Sequence, residues 1–256
     1  MKRIATALVL VPASVAVVLY GPPWALLAAL ALVGAAAWRE FDRMVAAHGI
    51  PRAGWPALAL GMALLLVPER MALAALVLAA AVLTTSALRV ADLSGAITSA
   101  AAGLLGVVYI FGALRSAAEL RAMNAHWLMV ALLVNWAGDT AAFYTGRALG
   151  RRKLALRISP AKTWEGAAGS LAGGILAASL YAHYRMPASA LWAVLLIAAA
   201  ANMAGQVGDV AESAWKRGAG LKDSGSSLPG HGGWLDRIDS SLFSIPVVYA
   251  ILLLAG

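Results

Sequence analysis

Nine apolar stretches divide this chain, at roughly 4–20, 23–39, 53–67, 71–88, 94–113, 126–146, 164–182, 188–210 and 241–256. A helix crossing a bilayer needs about 20 mostly apolar residues, and most of these stretches reach that length. The stretches 53–67 and 241–256 are short, so eight spans would also satisfy the pattern. Breaks coincide with helix-stopping residues: Gly21-Pro22-Pro23, Pro51, Pro56, Pro68, Pro160, Pro187 and Pro229. Composition closes off a soluble alternative. The chain is 62% hydrophobic and only 12% charged, whereas a soluble domain carries about 25% charged residues. The expected fold is therefore all-α, a polytopic integral membrane bundle of about nine helices. The start, MKRIATALVLVPASVAVVLY, has the basic opening of a signal peptide. Its apolar run continues through Tyr20, so it is expected to be an uncleaved first span.

Lys and Arg are distributed unevenly between the two sides that nine spans define. Sixteen fall on the side of the N-terminus and four (Arg70, Arg115, Arg121 and Arg185) on the other. Cytoplasmic loops carry the excess of basic residues, which assigns the N-terminal side to the cytoplasm. The net charge of +8 then reads as loops facing anionic lipid rather than as a nucleic-acid surface. There is no cysteine, which excludes disulfides and thiolate metal sites. Gly/Ala-rich runs such as GAAGSLAGGILAAS at 166–179 are helix-packing surfaces.

Polar residues inside spans are costly and need a reason. Asn135 and Asp139 lie one turn apart near the end of the sixth span. Asn202, Gln206, Asp209 and Ser213 follow steps of four, three and four along one face of the eighth. The amides suit a helix–helix hydrogen-bond seam, while the carboxylates require a cation or a basic partner. The eighth span leads into the densest polar stretch of the chain, KDSGSSLPGHGGWLDRIDS at 222–240. It places Asp223, Asp236 and Asp239 among Lys222, Arg237 and His231, a composition that suits a Mg²⁺–phosphate site and equally a solvated loop. Walker-type phosphate loops, H-E-x-x-H and G-x-S-x-G are absent.

SAWKRGAGLKDSGSSLPGHGGWLDRIDS at 213–240 closely resembles the signature of the phosphatidate cytidylyltransferase (CDP-diglyceride synthase) family. GDTAAFYTGRALGRRKLALRISPAKTWEG at 138–166 and GDVAES at 208–213 resemble further blocks of the same family. The match covers the C-terminal half; the N-terminal half offers little beyond hydropathy and Arg39-Glu40-Phe41. Trp215 and Trp234 stand where smaller aliphatic residues are expected, and Ala161 where Lys is frequent.

The resemblance implies the reaction of CTP with phosphatidate to give CDP-diacylglycerol and pyrophosphate, with Mg²⁺ and a second cation in the same site. It implies metal binding by Asp209 and Asp236, with Asp223 and Asp239 in reserve. Lys216, Arg217, Lys222 and Arg237 would act with these aspartates in catalysis by holding phosphate. Ser213, Ser224, His231, Gly232, Gly233, Ser159, Lys162, Thr163 and Asp139 would contact substrate. Residues 1–125 would form the lipid-facing and packing region. Residues 126–256 would form the catalytic region, with cytoplasmic loops 147–163 and 214–240. The expected setting is the cell's inner membrane with the site on its cytoplasmic face, and the family suggests a homodimer. Three rival readings remain: a CTP-dependent enzyme acting on an isoprenoid lipid phosphate, a transporter or channel lined by the stripe from Asn202 to Ser213, and an inactive paralogue serving as a binding partner.

Overall fold

A computed structural model describes residues 2–89, 93–227 and 232–255, with side chains from Leu8 onward. The described chain is almost wholly helical. Its elements are α1 (Lys2–Leu19), α2 (Pro23–Ala47), α3 (Gly54–Leu66), α4 (Ala72–Ala87), α5 (Ala96–Gly106) and α6 (Ala113–Leu149), then a hairpin of β1 (Lys153–Ala155) and β2 (Ser159–Thr163), followed by α7 (Trp164–Arg185), α8 (Leu191–Gly218) and α9 (Leu235–Ala255). A π-helical segment, Val107–Gly112, joins α5 to α6.

Each of the nine expected stretches corresponds to one helix or helical segment. Five helical runs among the described residues are long and apolar enough to cross a membrane: Pro23–Ala47, Glu69–Ala87, Leu93–Leu149, Leu191–Gly218 and Leu235–Ala255. Leu8–Leu19 and Gly54–Leu66 are apolar but shorter. Helix α7, rich in Gly, Ala and Ser, is long without being as apolar. The 57-residue run from Leu93 would be roughly 85 Å long at 1.5 Å per residue, far more than one bilayer crossing. It divides at Asn124, whose backbone is extended at φ −166° and ψ 116°. The Asn124 side chain accepts the His126 N–H at 2.9 Å, an N-cap at the point where the sixth stretch was expected to begin.

The chain forms two compact units. One comprises Met1–Val11, Pro22–Arg115 and Trp215–Arg237; the other comprises Pro12–Gly21, Ser116–Ala214 and Ile238–Gly256. In the first, Phe111 is fully buried against Gly34 and Gly61, where a Cβ would overlap its ring. Trp215, unexpected in the family pattern, belongs to an aromatic cluster. Its ring meets Tyr109 edge-on at 5.2 Å and Phe41 at 6.1 Å, and Phe41 in turn packs on Trp38. Arg115 caps the end of α3 by donating to the carbonyls of Leu64 at 2.8 Å and Val67 at 2.5 Å.

In the second unit α6 and α7 approach through glycines. A Cβ on Gly138 would press on Asn202 and Ser170, one on Gly169 on Thr145, and one on Gly173 on Ala141. This is the small-residue packing expected of the 166–179 run. Arg121 donates to the carbonyls of Val18 and Gly21 at the end of α1.

Two expected loops are partly regular. The basic segment 147–163 contains the antiparallel β1–β2 pair, with Lys153 opposite Thr163. The segment 214–240 is shortened from both ends, because α8 runs to Gly218 and α9 starts at Leu235. Asp236, Arg237 and Asp239 therefore sit on the first turns of a helix.

Candidate active site

The second unit contains a cavity of about 460 Å³. Its polar lining includes Asn135, Asp139, Lys162, Thr163, Asn202, Gln206, Asp209 and Ser240, from α6, the hairpin, α8 and α9. An amide seam fixes the wall. Asn202 Nδ2 donates to Ser170 Oγ at 3.1 Å, and Gln206 Nε2 donates to Asn202 Oδ1 at 2.6 Å and to the Ala167 carbonyl at 3.2 Å. Asn135 Nδ2 donates to Ser244 Oγ at 2.7 Å. The expected seam is thus present, and it ties α7 to α8 and α6 to α9.

Asp209, the next polar residue on the same face of α8, gains a basic partner. Lys162 Nζ stands 2.6 Å from Asp209 Oδ2. The Lys162 nitrogen itself is shielded from solvent. The pair is partly open, at 25% and 33% side-chain exposure. Ser213 Oγ donates to Asp209 Oδ1 at 3.4 Å. Thr163 lines the cavity and N-caps α7, its Oγ1 accepting the Gly166 N–H at 3.1 Å. Glu165 holds the hairpin to α7. Its carboxylate accepts the N–H groups of Arg151 and Arg152 at 3.1 to 3.3 Å. Ser159 lies on β2 and is not part of the cavity lining.

The first unit holds a different cluster. Lys216 Nζ donates to Asp236 Oδ1 at 2.6 Å, with side chains only 8% and 6% exposed. Asp236 Oδ2 accepts the Ser224 N–H at 2.9 Å, the Ser224 hydroxyl at 2.9 Å and the Gly233 N–H at 2.8 Å. Gly232, at φ +77°, occupies the left-handed region that glycine enters without strain. A Cβ there would also approach Asp236 Oδ2 to 2.7 Å. Arg217 Nη1 donates to the Leu221 carbonyl at 2.8 Å. Arg217, Lys222, Asp223 and Arg237 are exposed. His231 lies outside the described residues.

The four candidate metal carboxylates thus have unlike surroundings. Asp209 lines the cavity, whereas both oxygens of Asp236 already accept donors. Asp239 is buried and accepts the Ser240 N–H at 2.6 Å, and Asp223 is exposed. Asp209 falls in one unit and Asp236 in the other. No group of three or more His, Cys, Asp or Glu among the described residues forms a ready-made metal cage.

Sequence reasoning passed over two buried acids. Glu40, 2% exposed, and Glu212, fully buried, both lie in long apolar helices. Glu212 lies just beyond the expected end of the eighth span at 210, whereas α8 continues to Gly218. Glu40 escapes in the same way, because the second span was expected to end at 39, whereas α2 continues to Ala47.

Curated relatives resemble part of this chain. A phosphatidate cytidylyltransferase of Staphylococcus saprophyticus is 40% identical over 149 residues, which is 58% of this chain and 55% of the relative. That of Brucella suis is 48% identical over 120 residues, 45% and 43% of the two chains. That of Pseudomonas aeruginosa is 45% identical over 134 residues, 52% and 49%. The chain spans about half the length of the curated relatives it matches. The profile of the cytidylyltransferase family matches over residues 1–255. With the signature blocks at 138–166 and 208–240 set on the cavity wall and in the buried Lys216–Asp236 cluster, this chain belongs to the cytidylyltransferase family.

Proposed function

We propose that the protein is a phosphatidate cytidylyltransferase, joining CTP to phosphatidate to form CDP-diacylglycerol and pyrophosphate. The observation that carries this reading is Lys162 at the cavity wall, its ammonium 2.6 Å from the Asp209 carboxylate, so that a cation and an anion stand together on one lining. Such an ammonium is set to take a phosphate oxygen as a point charge. The names of the curated relatives support phosphatidate as the lipid.

In the reaction an oxygen of the phosphatidate phosphate attacks the α-phosphorus of CTP, and the bond to the bridging oxygen of pyrophosphate breaks. The attacking phosphate is already ionised at neutral pH, so no general base is needed. Positioning and charge neutralisation dominate phosphoryl-type transfer. Lys162 offsets phosphate charge, Asp209 holds Lys162 in place, and the amide seam through Asn202 and Gln206 fixes the wall from which Asp209 projects. The signature block at 213–240 also carries Lys216 and Asp236, which form a second, buried pair.

Mg²⁺ fits the two carboxylates, Asp139 and Asp209, on the cavity wall. Asp209, with Asp139 on the same lining, would hold it, and phosphate and water oxygens would complete its shell, as is usual for this ion. When bound, it would neutralise triphosphate charge. The excess of Lys and Arg on the N-terminal side supports a site facing the cytoplasm, which for a bacterial relative means the inner membrane.

The test uses purified protein in mixed micelles with phosphatidate, Mg²⁺ and α-labelled CTP. The expected result is labelled lipid and equimolar pyrophosphate. Lys162→Met and Asp209→Asn should each lower turnover at least about 100-fold, the scale of losing one electrostatic stabiliser. A folded wild-type protein that makes no labelled lipid would refute the reading.

A further inference from the structure

We infer that Glu40 is a positioning residue for this reaction: from α2 it fixes Ser224, Ser227, Trp234 and Leu235, and through Ser224 the Lys216–Asp236 pair. The inference rests on the cytidylyl-transfer reading above.

The Glu40 carboxylate is 2% exposed and turns its acceptors to one distant stretch of chain. Oε1 accepts the Ser227 hydroxyl at 2.8 Å and the Trp234 N–H at 3.1 Å. Oε2 accepts the Ser224 hydroxyl at 2.8 Å and the Leu235 N–H at 2.9 Å. A carboxylate offers about four lone-pair sites; three are taken by Ser227, Trp234 and Leu235, and the fourth faces the Ser224 hydroxyl, which it shares with Asp236. No Lys or Arg among the described residues pairs with it. A charge buried without a counter-ion is costly unless its hydrogen bonds are complete. Among the described residues they are completed by Ser224, Ser227, Trp234 and Leu235, so these residues and the carboxylate hold each other. Two of the donors are N–H groups at the start of α9, which otherwise lack helical partners and favour a negative charge.

The hold passes on to Asp236. The Ser224 hydroxyl lies 2.8 Å from Glu40 Oε2 and 2.9 Å from Asp236 Oδ2. It has one proton and so bridges the two carboxylates, while accepting the Asp236 N–H at 3.3 Å. Asp236 Oδ1 takes Lys216. The close approach depends on glycine, because a Cβ on Gly225 would come within 2.7 Å of Glu40 Oε1 and one on Gly233 would overlap the carboxylate. Glu40, Ser224, Asp236 and Lys216 thus form one connected series, with the last pair placed by the first two.

Glu40→Gln preserves shape but turns an amide N–H₂ toward groups that are themselves donors. In the micelle assay kcat should fall by about 10- to 100-fold, with KM for CTP changed by no more than about twofold. Hydrogen–deuterium exchange should accelerate by a similar factor at residues 224–235, while α7 stays protected. Asp42→Asn, on the same helix, should change neither. Ser224→Ala leaves the direct bonds from Glu40 to α9 in place and should still lower kcat about tenfold, which keeps the test open if Glu40→Gln does not fold. Unchanged kcat in Ser224→Ala overturns the inference. So does faster exchange at 224–235 with kcat intact, because Glu40 would then serve the fold alone. If the wild type makes no CDP-lipid, the functional reading fails separately. The exchange experiment still decides the Glu40 hold: unaltered protection at 224–235 in Glu40→Gln overturns it.

Discussion

Two lysine–aspartate pairs in this protein have the same chemistry and the same 2.6 Å separation, yet their surroundings make them different devices. Lys216–Asp236 is almost fully enclosed, and Asp236 accepts three further donors from Ser224 and Gly233. Lys162–Asp209 is about a quarter to a third exposed on a cavity wall, supported by one long hydrogen bond from Ser213. An enclosed pair is expensive to break because the surviving charge has no water to turn to. A partly exposed pair contributes little to stability and can exchange partners for a ligand. One pair is therefore suited to hold geometry, the other to change partners.

Lys216→Met gives the largest expected effect on stability. It strands Asp236 and should destabilise the protein by about 3–5 kcal/mol, read as a lowered unfolding midpoint in detergent. Lys162→Met should cost less than about 1 kcal/mol while abolishing most turnover. Equal stability losses in the two variants would erase the distinction between the pairs.

Asn202→Ala comes next. It removes the amide shared by Ser170 and Gln206 and should cost about 1–3 kcal/mol. Turnover should fall only in proportion to the folded fraction, which separates the wall from the groups projecting from it. Gly169→Ala should cost about 1–3 kcal/mol, because the new methyl meets the Thr145 side chain. A neutral result there would show that α6 and α7 can move apart without penalty.

The smallest effect belongs to the hairpin. Arg151→Gln with Arg157→Gln removes two exposed charges and should leave stability within about 0.5 kcal/mol. KM for CTP should rise about two- to fivefold at low salt and converge with wild type at high salt, where exposed charges are screened. A salt-independent change would move these residues from steering to direct contact.

Sequence reading went far on the helices. The nine stretches were legible because a bilayer demands long apolar runs, and the break at Asn124 fell where hydropathy placed it. The amide seam was legible because Asn202 and Gln206 share a helical face. The Lys162–Asp209 pairing was half legible: a carboxylate in a span demanded a base, but nothing in the spacing said which of sixteen basic residues would supply it. The β1–β2 pair escaped notice because its strands are short and carry no alternating run of β-branched or aromatic residues. Glu40 escaped because its partners lie 184 to 195 residues away.

The sequence by itself determined the helical membrane fold, the position of its polar segments and the family, since each is written in local composition or in contiguous motifs. Only the tertiary structure decided that Asp236 is saturated by Lys216, Ser224 and Gly233, that Asp209 lines a cavity beside Lys162, and that Glu40 anchors Ser224, Ser227, Trp234 and Leu235. The physical reason is that a carboxylate's role depends on which donors surround it and how much water reaches it. Neither quantity is a property of the residues adjacent in the chain.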